Sequence, residues 1–441
     1  MYNLNEKMIW NKEHECMSRE ELRELQSRKL VRMVEHVYNN SPFYRALFDS
    51  HGVHPSDIRS IDDITKLPFT VKKDLRDNYP FGMMSVPMSD IIRLHASSGT
   101  TGKPIVVGYT QQDLDNWEEC VARCLTAYGF SKNDIIQVSY GYGLFTGGLG
   151  AHAGVQKIGA TVVPMSSGNT QKQIQIMQDF GVTGLCCTPS YALFMAEEIA
   201  KLGLDTNKDL KLKVGVFGAE PWTNSMRQEL QNKLGIKAYD IYGLTEISGP
   251  GVGGECECQN GTHIWEDFFY PEIVDPNTLE PVEPGQVGEL VFTTLDKWGM
   301  PMIRYRTRDL TSLNYGQCEC GRTMVRMSKI LGRSDDMLII RGVNVFPSQI
   351  ESILLEFKQF QPYFLIEVDR IGNTDTFDIH VELMPDAYSD QISVYMEYTK
   401  ALSGRIQSVV GIRPSIKIAE PGSIERSTGK AKRAIDHRIF K

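Results

Sequence analysis

The sequence lacks a long apolar run and any excess of basic residues. No segment offers about twenty uninterrupted apolar residues, and the opening MYNLNEKMIWNKEHE has neither a basic start nor an apolar core. We therefore expect neither a membrane span nor secretion. The net charge of −8 comes from interspersed acidic and basic residues, which indicates no face for nucleic acid or for an anionic membrane. The expected partners are small molecules.

Cysteine is also scarce, with nine in 441 residues. This excludes a small disulfide scaffold, and an odd count without a secretory leader predicts reduced thiols in the cytoplasm. The pair Cys186-Cys187 lies in a strand-like run and is expected in the core. Apolar residues at 41% and charged residues at 23% are typical of a globular enzyme and exclude disorder.

The order of the apolar segments predicts an α/β fold. Six short apolar runs between residues 90 and 245 alternate with segments long enough for helices, which is typical of a mostly parallel sheet: DIIRLHA, DIIQVSY, ATVVPM, VTGLCC, KVGVFG and KAYDIYG. Turn signals after residue 260 indicate a β-rich subdomain, and the segment after Gly332 reads as a small α+β unit. Because 441 residues exceed one ordinary core, we predict a large N-terminal domain at 1–332 and a small C-terminal domain at 333–441.

Two helices are predicted from local patterns. Ser18 and Glu21 match a capping box, and the residues that recur after them at helical spacing are Leu30, Met33, Val34 and Val37. In the small domain a second stripe precedes the strand-like runs FLIEV and FDIHVEL, and its members are Ile350, Ile353, Leu354 and Phe357.

A hydroxyl- and glycine-rich segment at 97–103, SSGTTGK, follows one of the predicted strands. Its backbone N–H groups and hydroxyls suit a polyphosphate. It is not a Walker A loop, because only two residues separate its glycines and Pro104 stands where a Mg²⁺-binding Ser or Thr belongs. Taken alone, the segment favours a phosphate loop and a plain Ser/Gly turn about equally.

Four further motifs follow in a fixed order: YGLTE at 242–246, YRTRD at 305–309, GRSDD at 332–336 and STGK at 427–430. Together with the segment 97–103, this set resembles the adenylate-forming superfamily of acyl-CoA synthetases, adenylation domains and luciferases. Within that superfamily, the segments similar to the phenylacetate-CoA ligase family are SSGTTGKP, SYGYGLFTGGLGAH, FGAEPW, YRTRDL and GRSDDMLIIRGVNVFPSQIE. The resemblance covers essentially the whole chain, and it implies a C-terminal domain that pivots on a hinge.

The resemblance implies ATP-dependent ligation of an arylacetic acid, such as phenylacetate, to coenzyme A. The carboxylate first attacks the α-phosphate of ATP, which gives an acyl-adenylate and pyrophosphate, and the thiol of coenzyme A then displaces AMP. Both steps move negative charge, so they need Mg²⁺, further cations and oriented N–H groups. Two alternatives keep the adenylation step: a free-standing adenylating enzyme, and a nucleotidyltransferase with another acceptor. A degenerate nucleotide-binding module is disfavoured by the intact Thr245, Glu246, Asp309 and Lys430.

The resemblance also assigns residues to the nucleotide. Lys430, Thr245 and Glu246 are the expected catalytic groups, with Glu246 holding Mg²⁺ and Lys430 reaching the carboxylate and the α-phosphate. Asp309 is expected to accept the ribose hydroxyls, and Tyr242 is expected to stack on adenine. The other expected contacts to ATP or AMP are Ser98, Gly99, Thr100, Thr101, Gly102, Ala219, Glu220, Pro221, Asp240, Ile241, Gly243 and Arg333.

Three further sites follow from the same resemblance. In the aryl-acid pocket, glycines let the backbone approach a ligand and aromatic rings form an apolar wall, and its expected residues are Tyr140, Gly141, Phe145, Gly218 and Ala219. Asp335 is the expected hinge. After rotation, the loop expected beside coenzyme A consists of Arg341, Gly342, Val343 and Asn344. A homodimer is expected by analogy alone.

A cluster of soft metal ligands stands apart from these motifs. Cys256 and Cys258, then Cys318 and Cys320, form two Cys-x-Cys pairs, and His263 stands close after the first pair. Four of these five residues can hold Zn²⁺ as a closed, tetrahedral structural site. The one-residue gap is tighter than the common two-residue gap, so unmetallated thiols are kept as the alternative.

Overall fold

The computed structural model describes residues 8–97, 104–334, 338–341, 343–371, 374–389, 391–426 and 433–438, without the side chain of Asn344. The chain forms two compact units. The first comprises Met1–Cys187, Leu210–Ala219 and Tyr239–Lys329, and the second comprises Thr188–Asp209, Glu220–Ala238 and Ile330–Lys441. The division between residues 332 and 333 stays a prediction. None of the described helices combines the length and the apolar character that a membrane crossing requires.

The helices of the first unit are α1 (Lys12–Glu15), α2 (Arg19–Asn40), α3 (Pro42–Ser50), α4 (Lys72–Asp77), α5 (Gln111–Ala127), α6 (Thr146–Lys157) and α7 (Thr170–Phe180). Those of the second are α8 (Pro189–Lys201), α9 (Thr206–Asp209), α10 (Asn224–Leu234), α11 (Pro347–Leu354) and α12 (Ile392–Val410). Short 3₁₀ turns lie at Pro55–Asp57, Ile61–Lys66, Met88–Asp90 and Pro385–Ala387. The helix predicted from the capping box is confirmed as α2: Ser18 and Glu21 form its capping box, and its apolar stripe is buried.

The strands of the first unit are β1 (Arg93–Ala96), β2 (Val106–Tyr109), β3 (Ile135–Val138), β4 (Thr161–Pro164), β5 (Gly184–Cys187), β6 (Val214–Phe217), β7 (Lys237–Leu244), β8 (Gly249–Gly254), β9 (Thr262–Ile264), β10 (Phe269–Val274), β11 (Gly288–Thr294), β12 (Tyr305–Thr311), β13 (Leu313–Asn314) and β14 (Arg326–Met327), with β7 starting in the second. Those of the second are β15 (Gly332–Arg333), β16 (Leu338–Ile340), β17 (Val343–Val345), β18 (Phe360–Ile371), β19 (Thr374–Leu383), β20 (Ser415–Ile418) and β21 (Ala434–Asp436).

The largest sheet has nine strands in the order β13-β14-β9-β8-β7-β6-β5-β3-β4. Strands β4, β3, β5 and β6 pair in parallel, and Cys186 and Cys187 are buried there as predicted. From β7 to β13 the pairs are antiparallel. Strands β10, β11 and β12 form a second antiparallel group. The predicted α/β fold is confirmed, and the antiparallel part begins at β7, before the predicted start of the β-rich subdomain near residue 260.

One detail of the predicted sheet is wrong. The run DIIRLHA supplies β1, which pairs antiparallel with β2 instead of joining the parallel strands. Only residues 97–105 connect the two strands. A parallel connection needs a crossover of about a dozen residues or more, whereas an antiparallel pair closes over a short loop. The two strands on either side of the predicted phosphate segment therefore pair antiparallel.

The α+β character predicted for the C-terminal segment is confirmed in the second unit. Strands β20, β19, β18 and β21 form one sheet, in which β18 and β19 pair antiparallel and the outer strands pair in parallel. Ile350, Ile353 and Leu354 on α11 are buried against this sheet together with Leu402 and Ile406 on α12. The predicted helical stripe thus forms part of one apolar core, with Phe357 packed at its edge.

Candidate active site

Two residues predicted to bind the nucleotide meet in the first unit. Tyr242 lies on β7 and Asp309 on β12, and the phenol Oη of Tyr242 donates a hydrogen bond of 2.6 Å to Asp309 Oδ2. The backbone N–H of Asp309 donates to Thr307 Oγ1 over 3.0 Å. Between them, Arg308 has a φ of 71°, a conformation that residues with side chains rarely adopt. Both Tyr242 and Asp309 are half-buried, so a ligand can still reach them.

The predicted catalytic pair, Thr245 and Glu246, follows β7 directly, and both residues are buried. Thr245 Oγ1 lies 3.4 Å from the hydroxyl of Thr146, the first residue of α6. A Glu246 carboxylate oxygen lies 3.7 Å from the ammonium of Lys72 on α4. This turn therefore brings together three parts of the first unit, and Lys72 is a cation that the sequence motifs did not indicate.

Sequence reasoning also missed Lys297, in the connection between β11 and β12. Its Nζ donates to the backbone carbonyls of Glu246, over 3.2 Å, and of Ile247, over 2.7 Å, and lies 4.8 Å from the centre of the Tyr109 ring. Burial lowers the pKa of Lys297 to about 8. A buried ammonium thus holds the backbone of the predicted catalytic turn. The sequence signal is weak, since it amounts to one lysine between an apolar strand and a Trp-Gly pair.

Asp113 fixes the connection that carries Lys297. Its two carboxylate oxygens accept hydrogen bonds from the backbone N–H groups of Trp298, over 2.6 Å, and of Gly299, over 2.8 Å. Asp113 also forms the capping box of α5 with Thr110. The pattern Thr-x-x-Asp before an apolar helix indicates such a cap, but it does not indicate the second role.

The predicted aryl-acid segment folds back on itself between β3 and α6. Tyr140 is buried, whereas Phe145 precedes the first residue of α6 and is 40% exposed. A Cβ added to Gly148 would lie 2.6 Å from the carbonyl oxygen of Gly141, so a side chain is excluded there. The segment combines tight backbone packing with an aromatic ring that solvent reaches.

The same segment is tied to the strand that precedes the predicted phosphate loop. The carbonyl oxygen of Leu144 accepts a hydrogen bond of 2.8 Å from the backbone N–H of Ala96, the last residue of β1. The Nδ1 atom of the buried His95 lies 3.1 Å from that oxygen. Burial lowers the pKa of His95, which favours the neutral imidazole. Strand β1, which precedes the predicted phosphate segment, therefore lies next to the aryl-acid segment.

Two of the predicted residues after β6 lie where the backbone conformation is restricted. A Cβ at Gly218 would lie 2.4 Å from the carbonyl oxygen of Ile241 on β7, so only glycine allows this approach. Ala219 has a φ of 71°, and such strain is typical of binding sites. In the second unit, Glu220 Oε1 accepts a hydrogen bond of 2.7 Å from the backbone N–H of Ser190, and Pro221 is exposed.

The other predicted residues of β7 are built into the sheet. The backbone N–H of Asp240 donates to a Glu255 carboxylate oxygen over 2.8 Å, and Gly243 pairs with Pro250 on β8. Their backbone groups are therefore held in place beside Tyr242. Their contacts with a nucleotide stay a prediction.

In the second unit, the described part of the predicted coenzyme A loop begins with Arg341, which follows β16, and continues on β17. The guanidinium Nε of Arg341 donates to the backbone carbonyl of Asp375 over 2.9 Å. Hydrogen bonding by Arg370 holds the pKa of the Asp375 carboxyl to about 2. Val343 on β17 packs against the core, and Arg333 on β15 is half-buried. The predicted residues outside the described part of the chain are Ser98, Gly99, Thr100, Thr101, Gly102, Asp335, Gly342 and Lys430, together with the side chain of Asn344.

The structure brings four of the five candidate metal ligands together. The ligand atoms of this group all lie within 4.8 Å of one another, and its members are Cys256, His263, Cys318 and Cys320. All four are buried. Cys258 is half-buried beside them, outside this group.

Comparison with known proteins identifies the family. Residues 18–295 match the model of the AMP-binding enzyme, and residues 342–438 match that of the AMP-binding enzyme C-terminal domain. The chain is 53% identical over 426 residues to the phenylacetate-coenzyme A ligase of Escherichia coli (strain K12), which covers 96% of this chain and 97% of that protein. It is 52% identical over 430 residues to the phenylacetate-coenzyme A ligase of Aromatoleum evansii, with 96% of each chain covered.

A solved relative confirms the fold. The 2-hydroxyisobutyryl-CoA ligase in the postadenylation state, in complex with 2-HIB-AMP, has a TM-score of 0.93 at 29% identity, covering 98% of this chain and 93% of that one. The same protein in the thioesterification state, with 2-HIB-AMP and CoA, has a TM-score of 0.73 at 30% identity, covering 97% and 92%. The predicted family and the acid-CoA ligase activity that uses ATP are confirmed. This chain belongs to the AMP-binding enzymes and, among them, to the phenylacetate-coenzyme A ligase family.

Proposed function

We propose that this chain joins an arylacetic acid, with phenylacetate as the first candidate, to coenzyme A through an acyl-adenylate. In the first step a carboxylate oxygen of the acid attacks the α-phosphate of ATP, and pyrophosphate leaves. In the second step the thiol sulfur of coenzyme A attacks the acyl carbonyl, the thiol proton is lost, and AMP leaves. The phenylacetate-coenzyme A ligases similar to this chain support the choice of acid.

The observation that carries the proposal is the contact between two motif segments. Thr146 follows Phe145 of the aryl-acid segment, and its hydroxyl lies 3.4 Å from that of Thr245, next to Glu246. Adenylation requires a carboxylate and an α-phosphate to be held within reach of each other. A junction between the segment assigned to the acid and the turn assigned to the phosphates supports such a reaction.

Glu246 is the proposed ligand of Mg²⁺. Its carboxylate suits this ion, which prefers oxygen ligands, and it stands beside the half-exposed ammonium of Lys72 rather than in a closed ion pair. Bound Mg²⁺ would neutralise charge on the phosphates of ATP. Lys72 would approach the same phosphates. Lys297 would hold the turn by donating to the backbone carbonyls of Glu246 and Ile247.

The remaining roles concern the nucleotide and the acid. Asp309 would accept the ribose hydroxyls with its carboxylate oriented by Tyr242, whose ring would stack on adenine. The strained backbone at Ala219 would line the adenine pocket, and Phe145 would face the aryl ring of the acid. The phosphate contacts of the segment 98–102 belong to the same proposal.

Lys430 and the C-terminal segment complete the proposed mechanism. Lys430 would serve adenylation alone, and a rotation about Asp335 would then bring the Arg341 loop to the site for thioester formation. The 2-hydroxyisobutyryl-CoA ligase, solved in both a postadenylation and a thioesterification state, supports a cycle with two arrangements. The contact of Arg341 with Asp375 supports a loop that is held in shape while it moves.

A substrate screen tests the overall function. Phenylacetate, indoleacetate, benzoate and medium-chain acids are supplied with ATP and coenzyme A, and AMP release is measured. We expect the highest kcat/KM with phenylacetate and a strict requirement for coenzyme A in turnover. ADP as the product, or AMP release at full rate without coenzyme A, would overturn the proposal.

A single substitution tests the division of labour. Lys430→Ala should abolish acyl-adenylate formation, yet it should retain thioester formation from preformed phenylacetyl-adenylate. Lys400→Ala, at an exposed lysine on α12, is the matched control and should leave both half-reactions unchanged. Equal loss of both half-reactions in Lys430→Ala would contradict the assigned role.

A homodimer and a location in the cytoplasm stay predictions. The zinc expected from the cysteine pattern takes no part in this reaction scheme. Its candidate ligands are buried, and four protein ligands would leave a tetrahedral metal no open position for a substrate.

A further inference from the structure

Four soft ligands converge at the antiparallel end of the nine-stranded sheet. Cys256 follows β8, His263 lies on β9, and Cys318 and Cys320 lie between β13 and β14. None of the four is more than 4% exposed. Cys256 and Cys318 are separated by 62 positions in the chain and meet here.

Two of the distances among these ligand atoms match edges of a tetrahedron around a zinc ion. With Zn–S bonds of about 2.3 Å and a Zn–N bond of about 2.0 Å, two sulfurs lie about 3.8 Å apart and a sulfur lies about 3.5 Å from a nitrogen. The Sγ atoms of Cys256 and Cys318 are 3.7 Å apart, and Cys320 Sγ is 3.5 Å from His263 Nε2. A disulfide requires sulfurs at about 2.05 Å. The distances therefore fit a shared ion.

The imidazole of His263 is oriented as a ligand. Its Nδ1 lies 3.2 Å from the carbonyl oxygen of Met324. A carbonyl oxygen only accepts, so Nδ1 carries the proton, and the lone pair of Nε2 points toward Cys320. Histidines that bind metals commonly donate their other N–H to a carbonyl or a carboxylate in this way.

We propose that one Zn²⁺ binds here as a closed structural site, with Cys258 outside the ligand set, and that its ligands are Cys256, His263, Cys318 and Cys320. Three thiolates and one imidazole fill a tetrahedral zinc and leave no position for a substrate. Cys258 is half-buried and packs beside the group, so its thiol stays available to solvent reagents.

The metal would fasten the N-terminal segment to this end of the sheet. Two residues after Cys320, the guanidinium Nε of Arg322 donates to a Glu15 carboxylate oxygen over 2.7 Å, and the backbone N–H of Thr323 donates to the Glu15 carbonyl over 3.2 Å. Glu15 ends α1. A zinc ion that fixes the turn at Cys318 and Cys320 therefore also fixes the residues that anchor α1. The free energy of zinc binding would then contribute to the folding stability of this region.

Elemental analysis of protein purified without added metal tests the site. We expect about one zinc per wild-type chain. Cys320→Ser and His263→Ala should lose most of it, whereas Cys258→Ser, the matched control, should retain it. Wild-type protein without bound metal, iron in place of zinc, or equal loss of zinc in Cys258→Ser and Cys320→Ser would each overturn the assignment.

Thiol labelling of the wild-type protein tests the ligand set without relying on variants that fail to fold. In the zinc-loaded protein, iodoacetamide should modify Cys258 and spare Cys256, Cys318 and Cys320. After a chelator removes the zinc, those three thiols should become reactive. Uniform labelling of all four thiols before metal removal would refute the site.

Discussion

Two buried charge sites in the first unit differ in how they are paired. Arg123 on α5 donates to both carboxylate oxygens of Asp267, over 2.8 and 3.0 Å, and both side chains are only 1% exposed. At Glu246, Lys72 is the ion-pair partner found in the described part of the chain, at 3.7 Å. The buried Lys297 bonds to the backbone carbonyl of Glu246.

The difference in pairing distinguishes a carboxylate with a structural role, Asp267, from a carboxylate that is available to a ligand, Glu246. A carboxylate that accepts a bidentate guanidinium is satisfied by the protein itself. Burial alone would raise the pKa of Asp267, but Arg123 beside it holds that pKa below the ordinary value. Glu246 retains lone pairs that a metal ion can use. We therefore expect substitutions in the Arg123–Asp267 pair to lower stability and to change activity little. Substitutions at Glu246 should lower activity and change stability little.

The largest expected effect is on stability. Arg123→Met leaves the Asp267 carboxylate buried without its main partner, so the free energy of unfolding should fall by about 3 to 5 kcal/mol, as measured by urea denaturation at pH 7. Activity per folded molecule should change little. Adding Asp267→Asn should recover part of the loss, because the uncompensated charge is then gone. A loss of activity without a loss of stability would contradict this assignment.

A pH-dependent effect is expected at Lys297. Since burial lowers its pKa to about 8 from an ordinary 10.5, the unfolded chain binds one more proton than the folded chain between these values. Wild-type stability should therefore rise relative to Lys297→Met as the pH increases from 8 toward 10.5, by up to about 3 kcal/mol. Below pH 8 the difference should stay constant, because Lys297 is protonated in both the folded and the unfolded chain. Urea midpoints measured at several pH values check this difference.

The control for this measurement is Lys213→Met, at an exposed lysine of the same unit. Its stability should follow the wild-type pH profile. Parallel profiles for wild type and Lys297→Met would show that Lys297 keeps an ordinary pKa. At pH 7, Lys297→Met should also raise the KM for ATP, because two carbonyls of the catalytic turn lose their donor.

Residues that belong to local patterns could be predicted from the sequence. The capping box at Ser18 and Glu21 and the apolar stripe of α11 depend on neighbours within two turns of a helix, so the sequence contains the whole signal. The resemblance supplied Tyr242 and Asp309, which are 67 positions apart, and the structure joins them by a hydrogen bond. Their role in binding the nucleotide stays a prediction.

Residues whose role depends on burial could not be predicted. Arginine and lysine are mostly exposed, so nothing near Arg123 or Lys297 in the sequence indicates a buried cation. The pairing of β1 with β2 was likewise missed, because an apolar run does not state its partner strand. The ligand set of the metal cluster was left at four of five, since spacing alone does not reveal that the half-buried Cys258 lies outside the group.

The next effect concerns activity alone. Glu246→Gln removes the charge that would hold Mg²⁺, so kcat/KM for ATP in pyrophosphate exchange should fall about 100-fold, with the unfolding midpoint unchanged. Glu272→Gln is the matched control, because the side chain of Glu272 on β10 is 9% exposed, like that of Glu246, but pairs with Arg304 over 2.8 and 3.1 Å. It should lose stability and keep its ATP kinetics. The reverse pattern would place the metal elsewhere.

The smallest expected effect is at Tyr242, where one hydrogen bond orients Asp309. Tyr242→Phe keeps the ring that would stack on adenine and removes the 2.6 Å bond to the carboxylate, so the KM for ATP should rise about 10-fold, the equivalent of one hydrogen bond to a charged group. Tyr44→Phe makes the same change at a buried phenol that donates to the Pro301 carbonyl over 2.9 Å. It should lower stability and leave the KM unchanged. If both variants lowered stability alike and neither raised the KM, the Tyr242–Asp309 pair would be structural, like the pair at Arg123, and the ribose would be bound by other residues.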